Sequence, residues 1–216
     1  MSGSGKKGNV LVTGGTKRIG KAIADGLERA GWRVARSSHR ADAGADLVAD
    51  LSREGGADAL FEAATDLFCA PPDAIVNNAA LFTGEDAELE MVNLAAPLRL
   101  AELLAECREG GTVVNILDCR VLRGGFAAED AYGRTKLELL RTTMRPTVRI
   151  RVNGVAPGPV FAPEGVHEKA GTCPFGRPAP EAVADAVAYL LSARYTSGCV
   201  IPVDGGQSVI PLARHP

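Results

Sequence analysis

The chain offers little to a metal, a disulfide framework or a nucleic acid. Its 216 residues include three histidines and five cysteines (Cys69, Cys107, Cys119, Cys173 and Cys199), an odd number with no Cys-x-x-Cys among them. Such spacing gives no metal set and no pairing pattern, and it fits the reduced thiols of a cytoplasmic protein. A net charge of −2 leaves no basic excess to meet the phosphates of a nucleic acid. No apolar run approaches the length of a membrane span, and the first eight residues form a polar stretch without an apolar signal region. The expectation is a flexible tail over 1–8 and one domain over 9–216, with no membrane association. A chain of this length buries roughly 70–75% of its unfolded surface.

What is present is alternation. Residues 9–13 are a short apolar run ending in Gly14-Gly15, and 19–30 carry helical periodicity. Strands are then expected at 32–36, 47–49, 74–77, 112–117, 148–152 and 200–203. Helices are expected at 57–69, 88–107, 132–144 and 180–193. Strand after helix after strand implies an α/β fold with a doubly wound parallel sheet covered on both faces. Ligands of such sheets bind beyond the carboxyl ends of the strands. Thr13-Gly14, Asn77, Asp118 and Pro157-Gly158 all fall at or just past those ends.

Two constellations carry chemistry. In Thr13-Gly14-Gly15-Thr16-Lys17-Arg18-Ile19-Gly20 the first two glycines permit a turn closed to side chains, and Gly20 lets helix and strand approach. The helix N-terminus then presents unpaired N–H groups suited to a pyrophosphate. Arg36-Ser37-Ser38-His39-Arg40 ends the second strand with cations and hydroxyls, which suit a ribose 2′-phosphate better than a ribose diol. A solvated basic loop is the plainer reading of the same residues. Tyr132 and Lys136 lie four apart and share a helix face, where an ammonium would ease ionisation of the phenol.

Together with Asn77-Asn78-Ala79-Ala80, Asn153-x-x-x-Pro157-Gly158 and Val203-Asp204-Gly205-Gly206, these motifs resemble the short-chain dehydrogenase/reductase family along nearly the whole chain. Thr-Gly-x-x-Lys-Arg-x-Gly, the His39-Arg40 pair and Phe82 resemble its pteridine reductase branch. The resemblance implies a Rossmann-type fold binding NADPH/NADP+. The expected cofactor contacts are Gly14, Thr16, Lys17, Arg18, Ile19, Ser38, His39, Arg40, Asp50, Leu51, Asn78, Ala79, Lys136, Pro157, Gly158 and Val160. It makes Tyr132 the proton donor or acceptor, places Lys136 on the nicotinamide ribose, and gives Asn93 a water of a proton relay. Where most relatives carry serine, Val114-Asn115-Ile116-Leu117-Asp118 places an aspartate, a replacement shared with pteridine reductases. Counting back from Tyr132 instead selects Cys119, so an insertion near Gly124-Gly125 is implied if Asp118 is the counterpart.

Phe82 is then the expected platform for a flat substrate, or else part of the cofactor wall. The segment 161–178, with His167 and Cys173, reads as a lid. Only sixteen residues separate Lys136 from Asn153, so the Tyr132 helix is short and the family's usual oligomer is open to question. The sequence reading is an NADPH-dependent reductase of a small-molecule pterin- or dihydrofolate-like heterocycle, acting through Tyr132, Lys136, Asp118 and Asn93. Its rivals are a reductase of a carbonyl or imine, and a silent dinucleotide sensor.

Overall fold

The computed structural model describes residues 7–41, 44–123, 130–145, 147–161 and 173–209. Most of the expected tail, the Gly124-Gly125 loop and most of the expected lid, including His167, lie outside those residues.

Seven strands form one parallel sheet in the order β3-β2-β1-β4-β5-β6-β7. They are β1 (Asn9–Val12), β2 (Arg33–Ser38), β3 (Leu47–Val48), β4 (Ala74–Asn77), β5 (Gly111–Ile116), β6 (Ile150–Pro157) and β7 (Val200–Val203). The helices are α1 (Arg18–Arg29), α2 (Gly56–Phe68), α3 (Asp86–Glu90), α4 (Ala96–Cys107), α5 (Ala131–Thr143) and α6 (Pro180–Ser192). The short apolar strands follow from burial on both faces. In β1, Val10 and Val12 join Ile23, Leu27, Val183 and Leu190 under α1 and α6. Leu11 between them joins Leu60, Phe61, Leu100 and Leu104 under α2 and α4. Strand order reverses between β1 and β4, where the crevice of such sheets opens.

Two expectations are corrected. The sixth strand is not 148–152 but Ile150–Pro157. Asn153, Gly154 and Pro157 look like strand breakers, yet each has a place in the ladder. The Asn153 side chain donates to the Thr196 carbonyl (2.9 Å) and accepts from Cys199 N (3.0 Å). Gly154 leaves room for Leu117, whose Cδ1 would lie 2.8 Å from an added Cβ. Nor is the helix 88–107 continuous, because Met91–Ala95 widen into a π-helical turn between α3 and α4. Pro97 accounts for this: it has no N–H to return to the carbonyl of Asn93, four residues earlier.

Candidate active site

The glycine turn is built as its residues require. Gly14 has φ +61°, and a Cβ on Gly20 would sit 2.0 Å from the Gly14 carbonyl oxygen. Asn78 fastens the turn from β4's end, its Nδ2 donating to the carbonyls of Thr13 (2.9 Å) and Gly14 (3.0 Å). The Thr13 hydroxyl accepts from the N–H groups of Asn78 and Ala79, both at 2.9 Å. Arg18 opens α1 in the left-handed region (φ +50°), with its guanidinium 4.7 Å from the Phe161 ring centre.

Beside this turn lies a cavity of about 710 Å³. Gly14, Thr16, Lys17, Arg18, Ile19, Ser38, His39, Asp50, Leu51, Asn78, Ala79, Gly158 and Val160 line it, along with Phe82 and Tyr132. Of the expected cofactor contacts, Arg40, Pro157 and Lys136 do not line it. Arg40 is joined to His39, its Nε donating to His39 Nε2 at 2.8 Å. Arg36 turns away to Asp25 (2.8 Å) and Glu28 (2.7 Å), which removes it from the basic set the sequence suggested. Pro157 is buried at the end of β6, while Gly158 reaches the cavity wall. A closed glycine turn, the N-terminus of α1 and basic side chains at the end of β2 all fit a dinucleotide with an added ribose phosphate.

At the far end of the cavity, α5 is started by Asp130, whose Oδ1 accepts from Gly133 N at 2.5 Å. This places Tyr132 close enough to Asp118 for the carboxylate charge to act on the phenol. Burial raises the Tyr132 pKa well above the usual phenol value; the Asp118 charge adds to this and Arg120 opposes it. Lys136 lies on the same helix face as Tyr132. Lys136 is 2% exposed, its Nζ donates to the Ile116 carbonyl (2.8 Å), and it stands 5.7 Å from the tyrosine ring centre. Burial brings the lysine down to about 8, with Asp118 pulling the other way.

Cys119, the alternative register partner, is buried with Sγ 3.2 Å from Gln207 Oε1. Burial, with Asp118 and Asp204 nearby, pushes its thiol up to about 12. Asn93 is fully buried with both ends of its carboxamide engaged. Oδ1 accepts from Leu81 N (2.8 Å), and Nδ2 donates to Leu81 O (2.8 Å) and Thr135 Oγ1 (3.3 Å). The side chain thus braces the loop after β4.

Phe82 is 66% exposed, and its ring centre lies 4.7 Å from that of Tyr132 at a tilt of 50°. The sequence reading missed Arg120, whose guanidinium lies 5.2 Å from the Tyr132 ring centre and 5.7 Å from that of Phe82. Its place two residues after Asp118 was the only available signal. Among the described residues no group of three or more His, Cys, Asp or Glu is placed to hold a metal ion. Among the same residues no helix is long and apolar enough to cross a membrane.

Residues 14–208 match the family described as enoyl-(acyl carrier protein) reductase. A rhamnolipid-biosynthesis 3-oxoacyl-[acyl-carrier-protein] reductase of Pseudomonas aeruginosa is 31% identical over 91% of this chain and 94% of its own length. The crystal structure of FolM alternative dihydrofolate reductase 1 from Brucella canis, complexed with NADP, superposes with a TM-score of 0.83. It is 30% identical and the match covers 97% of both chains. The Brucella suis protein of the same name, also in complex with NADP, gives a TM-score of 0.80 at 30% identity, over 94% of this chain and 96% of that one. With its parallel sheet, glycine turn and Tyr132-Lys136 helix on one crevice, the chain belongs to the short-chain dehydrogenase/reductase family.

Proposed function

We propose that this protein is an NADPH-dependent reductase of a pterin- or dihydrofolate-like heterocycle, reducing a ring C=N bond. The observation that carries the reading is the Asp118 carboxylate beside Tyr132, the two joined through the Arg120 guanidinium, which lies 3.3 Å from Asp118 Oδ1 and 5.2 Å from the Tyr132 ring centre. A carboxyl group can exchange a proton with a ring nitrogen's donor, whereas a serine mainly hydrogen-bonds a carbonyl oxygen. NADPH, when bound, supplies the hydride. Tyr132, held protonated by burial and by Asp118, gives the proton to nitrogen. Asp118 takes up a proton from solvent water and passes it to the phenolate, and Lys136 would hold the nicotinamide ribose. His39 and Arg40, with Lys17 and Arg18, hold the adenosine ribose phosphate, and Asn78 keeps the turn in shape. The exposed Phe82 ring gives a flat substrate an aromatic surface beside Tyr132. The NADP-bound dihydrofolate reductases noted above support both the cofactor and the substrate class.

The oxoacyl reductase relative favours a second reading, reduction of a carbonyl in a small biosynthetic intermediate. NADPH oxidation measured with dihydropterins, dihydrofolate, quinones and β-ketoesters decides between them. Turnover confined to ketones would sink the heterocycle reading.

A further inference from the structure

Arg120 approaches Tyr132 from the segment after β5, and that segment fixes where it points. Cys119–Arg123 form a short 3₁₀ helix in which Cys119 and Val121 are buried on either side of Arg120. Asp118 closes the turn, its Oδ1 accepting from Arg120 N at 2.9 Å and from Arg120 Nε at 3.3 Å. Nη1 of the same guanidinium lies 3.5 Å from Oδ2 of Asp130, the residue that caps α5. One cation is thus held between the carboxylate at the end of β5 and the start of the Tyr132 helix, 5.2 Å from the centre of the phenol ring. A guanidinium is a planar fork that stays charged, so it can hold two carboxylates without entering the proton exchange.

The charges around the phenol are Asp118 and Arg120 from the segment after β5, and Asp130 and Lys136 from α5 and its cap. On α3, which packs against α5, Asp86 is taken by Arg134 at 3.0 Å and Glu88 lines the cavity. When Tyr132 gives its proton to the substrate, the O–H bond breaks and a phenolate forms beside Asp118. The carboxyl proton then passes to the phenolate oxygen, and a proton from solvent refills the carboxylate. The negative charge therefore moves from ring to carboxylate, and the Arg120 guanidinium lies against both places. A fixed cation there stabilises the charge at each stage without having to reorient.

We infer that Arg120 is a positioning residue for proton delivery, holding Asp118 beside Tyr132 and balancing the charge that moves between them. The inference rests on the proposed function for Tyr132 as donor and Asp118 as its proton source, and not for the substrate's ring.

The test is reduction of dihydropterin or dihydrofolate by the complete protein with NADPH, over a pH series in H2O and in D2O. In the unmodified protein kcat should fall as pH rises through ionisation of the groups that carry the proton. Arg120→Met takes a cation away from both, so each holds its proton more tightly and the falling limb should move up by about 1 in pH. The plateau below that limb should drop by about 10- to 100-fold, and the solvent isotope effect should grow as proton delivery limits the rate. Arg120→Lys restores the charge without the fork, so the limb should return while the plateau recovers in part. NADPH affinity should hold, because Arg120 does not line the dinucleotide cavity. An unchanged kcat, a lower plateau with the limb unmoved, a limb that Arg120→Lys leaves displaced, or a fall in NADPH affinity matching that in kcat overturns the inference.

If the unmodified protein reduces neither heterocycle, the heterocycle reading fails, and the same series is run with a β-ketoester. Tyr132 donates a proton there too, so Arg120→Met should again move the limb to higher pH. A limb unmoved with the ketoester refutes the assignment of Arg120.

Discussion

Changing Asp118 to asparagine removes a charge at nearly constant shape, and the structure states what should follow. The amide oxygen can still accept from Arg120 N, now at 2.9 Å, so the turn after β5 should persist. What is lost is the ionic part of the contact with Arg120 Nε, an interaction whose partner is 35% exposed, and stability should fall by only about 1 kcal/mol. The effect on Tyr132 is larger. Burial is the main cause of its raised pKa and the Asp118 charge the next, so the variant's phenol should ionise at lower pH while staying above the usual value. If Asp118 returns the proton that Tyr132 donates, the chemical step on a C=N substrate should slow by about 10²–10⁴-fold. Asp118 does not line the dinucleotide cavity, so NADPH affinity should hold. Single-turnover decay of NADPH absorbance with saturating dihydropterin reads the chemical step, and cofactor titration reads the affinity. Asp118→Ser should do the same damage on a ring C=N while tolerating a plain ketone. Full activity of Asp118→Ser on the best heterocycle would make the carboxylate structural, and greater damage from Cys119→Ala would show that the thiol holds the site position.

Further outcomes can be measured on the same protein. Lys136 is brought to about 8 in the folded chain against about 10.4 when free, so between those values the unfolded state binds more protons. Stability should therefore rise across that window by about 3 kcal/mol and then fall above pH ~10 as Tyr132, raised in the fold, ionises first in the unfolded chain. Lys136→Met should remove the rise, as urea midpoints at a series of pH values would show. His39→Ala with Arg40→Ala should cost about 10- to 100-fold in NADPH affinity and leave NADH little changed, checked by fluorescence titration. Gly20→Ala forces a methyl to 2.0 Å from the Gly14 oxygen and 2.5 Å from Asn78 Nδ2. It should lower stability by about 1–3 kcal/mol and weaken cofactor binding, seen as a lost ligand-induced rise in melting temperature.

The sheet was legible in the sequence because its strands are buried on both faces and read as short apolar runs bounded by glycine turns. The dinucleotide crevice was legible for the same reason, since Gly14, Gly20 and Asn78 have few other uses at those positions. What escaped depends on partners distant in the chain. Asn153 looks like a strand end until Thr196 and Cys199 are seen to occupy its amide. Arg36 looks available to a phosphate until α1 is placed beside it with Asp25 and Glu28. An i,i+4 spacing brings Lys136 near Tyr132 but cannot say that the Ile116 carbonyl takes its ammonium. Arg120 had no motif, and its importance follows only from the two rings and two carboxylates that converge on it.

The brace at Asn93 has a mechanical consequence. One carboxamide clamps both backbone groups of Leu81, next to Phe82, and also touches Thr135 on the helix of Tyr132. Thr135 in turn donates to the Tyr132 carbonyl at 2.8 Å. Phe82 and the proposed proton donor Tyr132 are thus linked through a single stiff joint set in a widened helical turn. A substrate that pushes Phe82 outward transmits that load to the helix that aims the phenol. Substitutions that loosen the joint to admit bulkier rings should therefore blur proton delivery as well, so substrate range and catalytic precision in this protein cannot be adjusted independently.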